Sequence, residues 1–196
     1  YFVVPPLLIL GLPERILRGF FSIRWLKPIT LNCTKPLVSL FLFNSLISVY
    51  HFPVVFNVIM SKELYHVLSH VALFVAALFM WLPILTSLPA MNKLKPLHRI
   101  GLIFANGILL TPACAIITFT DKILYSLYSK ASELVPVISP LHDQQLGGVI
   151  MKITQEIVYI TAICFVFCSW VKKERKKERE DLESWKIERS REGEMV

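Results

Sequence analysis

The sequence is short of charge and of glycine. Asp, Glu, Lys and Arg make up 18% of the 196 residues, and 55% of the residues are hydrophobic, whereas about 25% of the residues in soluble domains are charged. This combination excludes a disordered chain and argues against an ordinary water-soluble domain. Seven glycines against 12 prolines exclude collagen-like and glycine-rich low-complexity sequence. A mean hydropathy of +0.58 is typical of an integral membrane protein.

The apolar residues fall into segments that suit membrane spans, each of which needs about 20 mostly apolar residues. We predict an all-α polytopic membrane helix bundle with four full spans, the end of a fifth, N-terminal span and a charged cytoplasmic C-terminal helix. The predicted spans cover residues 37–56, 65–84, 100–120 and 146–170, and residues 1–12 are the end of the N-terminal one. Residues 1–170 form the predicted transmembrane domain, and residues 171–196 form the charged tail. Because the chain opens at Tyr1 inside an apolar run, we interpret it as an N-terminally truncated fragment.

The charges between the predicted spans alternate along the chain. The first loop carries five Lys or Arg residues against one acid, and the third loop carries three against none. The second connection holds only Lys62 and Glu63, and the fourth is slightly acidic. Since cytoplasmic loops carry an excess of Lys and Arg, we expect the first and third loops and the C-terminus to be cytoplasmic. The second and fourth loops are then expected outside.

Three histidines are predicted at one depth near the outer face. His51 lies near the outer end of the second predicted span, His66 opens the third, and His70 follows one turn deeper, about 6 Å at 1.5 Å per residue. Polar side chains at membrane depth are costly and are therefore candidates for function. Neutral imidazole suits copper, zinc, iron and nickel, and residues four apart share a helix face. We predict a metal site of these histidines, with Met151 or water completing it; alternatively, they are interfacial side chains bonded to their neighbours.

Further polar residues lie on or near the same predicted side. Asp143 and Gln144 come just before the fifth predicted span, and Lys152 and Glu156 are four apart within it. A Lys–Glu pair at this spacing lowers the cost of insertion. We expect Asp143, Gln144 and Glu156 to support the site, and leave open whether the ion pair is structural or belongs to a metal or proton pathway.

Four sequence blocks occur together in this chain. They are Pro-Pro-Leu-Leu-Ile-Leu-Gly-Leu-Pro at residues 5–13, Tyr-His-Phe-Pro at 50–53, the two histidines of α-helical spacing followed by Met-Trp-Leu-Pro at 80–83, and Asp-Gln-Gln-Leu-Gly-Gly-Val-Ile-Met at 143–151. In this order they resemble the bacterial CtaG-type cytochrome caa3 oxidase assembly factors, over residues 1 to about 170. The sequence is similar to a Bacillus-type member of that family.

The resemblance implies a multi-pass protein of the bacterial plasma membrane that is not an enzyme. It implies a role in maturing the oxidase through its copper centres, with copper as the bound metal, and with cytochrome c oxidase subunits and the lipid bilayer as partners. The chain departs from the family at several positions. Tyr50 stands where Trp is usual, Asn57 where Asp is common, and Ser69 where Glu often precedes the second histidine. The absence of the two acids, at Asn57 and Ser69, weakens a role for carboxylates.

Other functions are weighed against the assembly factor. A bis-histidine haem protein needs facing histidines on two helices, and a small transporter would place His70 and Glu156 on a polar path. An intramembrane metalloprotease needs a glutamate directly after the first histidine as general base, but Val67 occupies that position. Nucleic-acid binding is not expected, because residues 172–194 hold nine Lys or Arg and eight Asp or Glu and are nearly neutral.

Overall fold

The computed structural model describes residues 1–13, 15–16, 19, 26–85, 94–125 and 138–194. Seven helices have both ends within these ranges, which contain no strand, so the predicted all-α class is confirmed for the described residues. The helices are α1 (Val4–Gly11), α2 (Leu26–Cys33), α3 (Pro36–Tyr50), α4 (Pro53–Met60), α5 (Glu63–Leu85), α6 (Pro96–Phe119) and α7 (Pro140–Glu194).

Proline determines where most of these helices begin. Pro36, Pro53, Pro96 and Pro140 are each the first residue of a helix, and Pro5 lies in the first turn of α1. The proline ring holds φ near the helical value, and its missing N–H is one that the first turn leaves unpaired anyway. The starts of the helices therefore follow directly from local sequence.

The predicted second span, residues 37–56, is not one helix. α3 ends at Tyr50 and α4 begins at Pro53, and Phe52 between them is extended, with φ −69° and ψ 126°. A residue before proline is forced out of the helical region by contact with the ring, which explains the break. α3 has 15 residues, about 22 Å at 1.5 Å per residue. His51 consequently caps the C-terminus of α3 and does not lie inside a span.

Three of the described helices are long and apolar enough to cross a membrane. They are Glu63–Leu85, Pro96–Phe119 and the part of α7 from Pro140 to Lys186, and the predicted spans 65–84, 100–120 and 146–170 fall on them. A fourth span would require the pair Lys27–Cys33 and Pro36–Tyr50, which is bent by 83°. Among the described residues, length and composition thus support three spans, or four if the bent pair is one span, and the predicted count of four full spans stays a prediction.

The last helix is longer than predicted and carries the tail without interruption. α7 has 55 residues and contains both the apolar segment and the charged one. Asp143 and Gln144, which were predicted to precede the span, lie in the first turns of this helix. In the tail, Lys176 and Glu180 form an i,i+4 ion pair of 3.6 Å. Residue 170 therefore marks a change of composition within one helix. That residues 1–170 and 171–196 are two separate domains stays a prediction.

α6 and α7 make the most extensive helix contact of the bundle. Gly148 lies at a close approach of the two helices, because a Cβ atom at this position would lie 2.6 Å from Thr118 Oγ1 and 3.2 Å from the Thr118 backbone nitrogen. α3 and α1 pack mainly against α5. Phe43 and Trp81 are fully buried at the centre, so the core lies where α3, α5 and their neighbours meet.

Candidate metal centre

His66 and His70 are the two predicted ligands that the structure brings together. They lie one turn apart near the start of α5, with their Nε2 atoms 2.8 Å apart and their ring planes at 82°. Two metal–nitrogen bonds of about 2.0–2.1 Å across this distance would meet at nearly a right angle. The separation therefore suits either an N–H···N hydrogen bond or two neighbouring ligands of one metal ion. This contact confirms the prediction that His66 and His70 share one face of the helix.

Two tyrosines complete the surroundings of His70. The hydroxyl group of Tyr1 is hydrogen-bonded to Nδ1 of His70, and the two rings stack with centroids 5.9 Å apart. The hydroxyl group of Tyr50 lies 3.4 Å from Nε2 of the same histidine. Neither tyrosine was among the predicted site residues. The position of Tyr50 directly before His51 was a usable signal, whereas no local pattern points to Tyr1.

His51 contacts Tyr50, the same tyrosine that contacts His70. The Tyr50 ring centroid is 5.2 Å from that of His51 and 5.8 Å from that of His70. Nδ1 of His51 is 2.8 Å from the carbonyl oxygen of Ile47. Since a carbonyl only accepts, Nδ1 carries the proton, and Nε2 of the neutral ring keeps a lone pair for a ligand.

The three predicted histidines do not form a compact set. Within the described ranges, no group of three or more His, Cys, Asp or Glu residues lies close enough to hold a metal ion. The structure assembles the pair His66 and His70, and the three-histidine site remains a prediction.

Met151 occupies a packing position. It is half-buried in α7 and packs against the buried core of the bundle. Methionine commonly fills such positions because its unbranched thioether adapts to irregular gaps. Its predicted role as a fourth ligand remains a prediction.

Gln144 has a clear structural role. Its buried Oε1 accepts hydrogen bonds from the backbone nitrogens of Leu124, at 2.8 Å, and Tyr125, at 3.3 Å. Its Nε2 donates to the carbonyl oxygen of Lys122 at 3.2 Å. The hydroxyl group of Tyr125 in turn donates to the backbone oxygen of His51 at 2.7 Å. Gln144 thus supports the region of His51 indirectly, by holding the segment that follows α6.

The other two supporting residues lie on α7. Asp143 is half-buried in the first turn, where a negative charge interacts favourably with the helix N-terminus. Glu156 forms an ion pair of 2.6 Å with Lys152, whose Nζ also donates to Thr111 Oγ1 on α6 at 2.8 Å. The predicted i,i+4 pairing of Lys152 and Glu156 is confirmed. The hydrogen bond from Lys152 to Thr111 connects α7 to α6.

The geometry is that of a histidine pair near the start of one of three helices that are long and apolar enough to cross a membrane. A sequence model for the cytochrome c oxidase caa3 assembly factors matches residues 1–173. The chain belongs to this family. The match covers the whole apolar part of the chain, including the histidine pair and both tyrosines. It confirms the resemblance seen in the four sequence blocks. No curated protein and no solved structure matches the chain.

Proposed function

We propose that this caa3 assembly factor is a multi-pass plasma-membrane protein that binds copper near its outer face and helps to mature the copper centres of the oxidase. The observation that carries the proposal is the pair of Nε2 atoms 2.8 Å apart in a chain of this family. The imidazole pair by itself suits copper, zinc or nickel. The family's association with an oxidase is what favours copper.

The exposure of the pair supports a role in metal transfer. His70 is exposed and His66 is half-buried, so an oxidase subunit could approach an ion held between them. The loop charges favour the outer side for this end of α5. Transfer would proceed by exchange of protein ligands on the ion, which requires such an accessible site.

The test is copper binding by the full chain in detergent. We expect His66→Ala and His70→Ala each to lose stoichiometric copper, because each removes one of two adjacent nitrogen donors. His142→Ala is the matched control, since that side chain contacts Ser139, with 2.9 Å between His142 Nδ1 and Ser139 Oγ, and not the pair. His51→Ala tests the third predicted ligand. Unchanged copper stoichiometry in both pair variants would reject the site.

The two other functions considered from the sequence find no support in the described residues. Bis-histidine haem ligation would pair His51 with His66 or His70, with the two rings on opposite sides of the iron. In the part of the chain that the structure describes, the His51 ring contacts Tyr50 and neither of the other two histidines. A transporter path would join His70 to Glu156. Among the described residues, Glu156 pairs with Lys152, whereas His70 contacts Tyr1, Tyr50 and His66.

A further inference from the structure

Tyr50, the last residue of α3, brings its hydroxyl oxygen close to the histidine pair. Its hydroxyl oxygen lies 3.4 Å from Nε2 of His70, the same nitrogen that lies 2.8 Å from Nε2 of His66. Nε2 of His70 thus has one imidazole nitrogen and one phenol oxygen as near neighbours. These spacings are close to those between neighbouring ligands in a single coordination sphere.

Tyr1 acts on the opposite side of the same ring. Its hydroxyl group is hydrogen-bonded to Nδ1 of His70, so the ring can donate Nδ1–H to the phenol oxygen and keep the lone pair of Nε2 for a metal ion. Histidine ligands in proteins usually have their second nitrogen held in this way, which fixes the tautomer and the ring orientation. Tyr1 is therefore placed to orient His70, and Tyr50 is placed to bind beside it.

The nitrogen and oxygen atoms at the histidine pair favour one oxidation state of copper over the other. Cu(I) is favoured by soft thiolate and thioether ligands, whereas nitrogen and oxygen ligands suit Cu(II). The sulfur atom predicted for this site belongs to Met151, which packs against the core. On the basis of the copper site proposed above, we propose that Tyr50 is the third ligand beside His66 and His70, and that the site binds Cu(II) in preference to Cu(I). On binding, the ion exchanges water for protein ligands and the phenol proton passes to solvent, so no electron is transferred.

The experiment compares the two oxidation states on the full chain in detergent. Apo-protein is titrated with Cu(II) in air and, separately, with Cu(I) under argon against a Cu(I) chelator. We expect one Cu(II) per chain, an electron paramagnetic resonance spectrum with nitrogen hyperfine splitting, and a visible phenolate-to-Cu(II) charge-transfer band. The affinity for Cu(I) is expected to be too low to compete with the chelator.

Three tyrosine variants assign the oxygen ligand. Tyr50→Phe removes only the hydroxyl group and is expected to abolish the charge-transfer band and to weaken Cu(II) binding at least ~10-fold, the range seen when supporting groups of metal sites are removed. Tyr1→Phe is expected to keep the band. Tyr65→Phe is the matched control, because Tyr65 neighbours His66 on α5 but lies against Lys62, whose Nζ is 5.2 Å from its ring centroid.

Each other outcome rejects a defined part of the proposal. If the Cu(II)-loaded wild-type protein lacks the charge-transfer band, or if Tyr50→Phe keeps both the band and the affinity for Cu(II), Tyr50 is not a ligand. Neither result rejects the proposed copper site at His66 and His70. Uptake of Cu(I) alone would reject the oxidation state only. Failure of the wild-type chain to bind copper in either state would reject this inference together with the proposed function. Because the band is measured on the unaltered protein, a variant that misfolds does not remove the test.

Discussion

Two buried asparagines illustrate how single polar side chains specify helix pairing in this bundle. Asn44 on α3 and Asn106 on α6 are 5% and 0% exposed, and Nδ2 of Asn44 donates to Oδ1 of Asn106 at 2.7 Å. Each Nδ2 also donates to the backbone oxygen four residues earlier on its own helix, at 2.8 and 2.9 Å. An amide in an apolar interior needs such partners, because unpaired polar groups there are costly.

We expect Asn44→Leu to destabilise the folded protein by about 1 kcal/mol, because it leaves Oδ1 of Asn106 without its donor. Asn106→Leu is expected to cost a similar amount. The double variant is expected to cost less than the sum of the two, since the single variants remove the same bond. Reversible unfolding in mixed micelles measures these free energies. Strict additivity of the two changes would show that the bond makes no contribution to stability.

At the scale of helices, the contact between α6 and α7 depends on the absence of a side chain at Gly148. The nearest atoms to an added Cβ include the backbone nitrogen of Thr118, at 3.2 Å, which cannot move away as a side chain can. Glycine at a helix contact in a membrane allows the backbones this close approach. Gly101, also on a long helix, has no atom within 4 Å of an added Cβ.

These two glycines give a matched pair of substitutions. We expect Gly148→Ala to lower the free energy of unfolding by about 1–3 kcal/mol, the usual cost of overpacking, and to lower the melting temperature accordingly. Gly101→Ala is expected to leave stability unchanged or to raise it slightly, because alanine is the better helix former. Thermal unfolding in detergent measures both. Equal melting temperatures for the two variants would contradict the close packing at Thr118.

At the scale of the whole molecule, the charges at the two ends of the bundle predict its orientation. Lys62 and Glu63 are the two charged residues where α4 ends and α5 begins, whereas Lys and Arg are concentrated in the first and third predicted loops and in the tail. The orientation decides on which side of the membrane the histidine pair lies, so the proposed delivery of copper to an outward-facing centre depends on it.

Labelling of single cysteines tests this orientation in cells. In a chain whose native cysteines are replaced by serine, we expect Lys62→Cys to react with a membrane-impermeant maleimide in intact cells. Ser184→Cys, in the tail of α7, is expected to react only after the cells are permeabilised, because the positive-inside rule places the tail in the cytoplasm. The opposite labelling pattern would place the histidine pair on the cytoplasmic side.

Local sequence was sufficient for several features of this protein. Runs of apolar residues predicted the three long helices, since a span is an unbroken apolar stretch of about 20 residues. Spacings of four residues predicted that His66 and His70, and likewise Lys152 and Glu156, would meet, because such residues are neighbours on any helix. The family was recognisable from the order of the four sequence blocks. The predicted second span, residues 37–56, is mostly apolar but is not one helix, because α3 ends at Tyr50, three residues before Pro53.

Contacts between distant parts of the chain were decided only by the tertiary structure. Tyr1, which precedes α1, and Tyr50, the last residue of α3, reach His70 across 69 and 20 residues of sequence. No helical periodicity relates such positions. Packing of α6 against α7 likewise placed Gln144 against the segment that follows α6 and Met151 against the core. The apolar pattern and the i,i+4 pairs follow from the geometry of a single helix, whereas the surroundings of the histidine pair depend on which helices pack together and in what register.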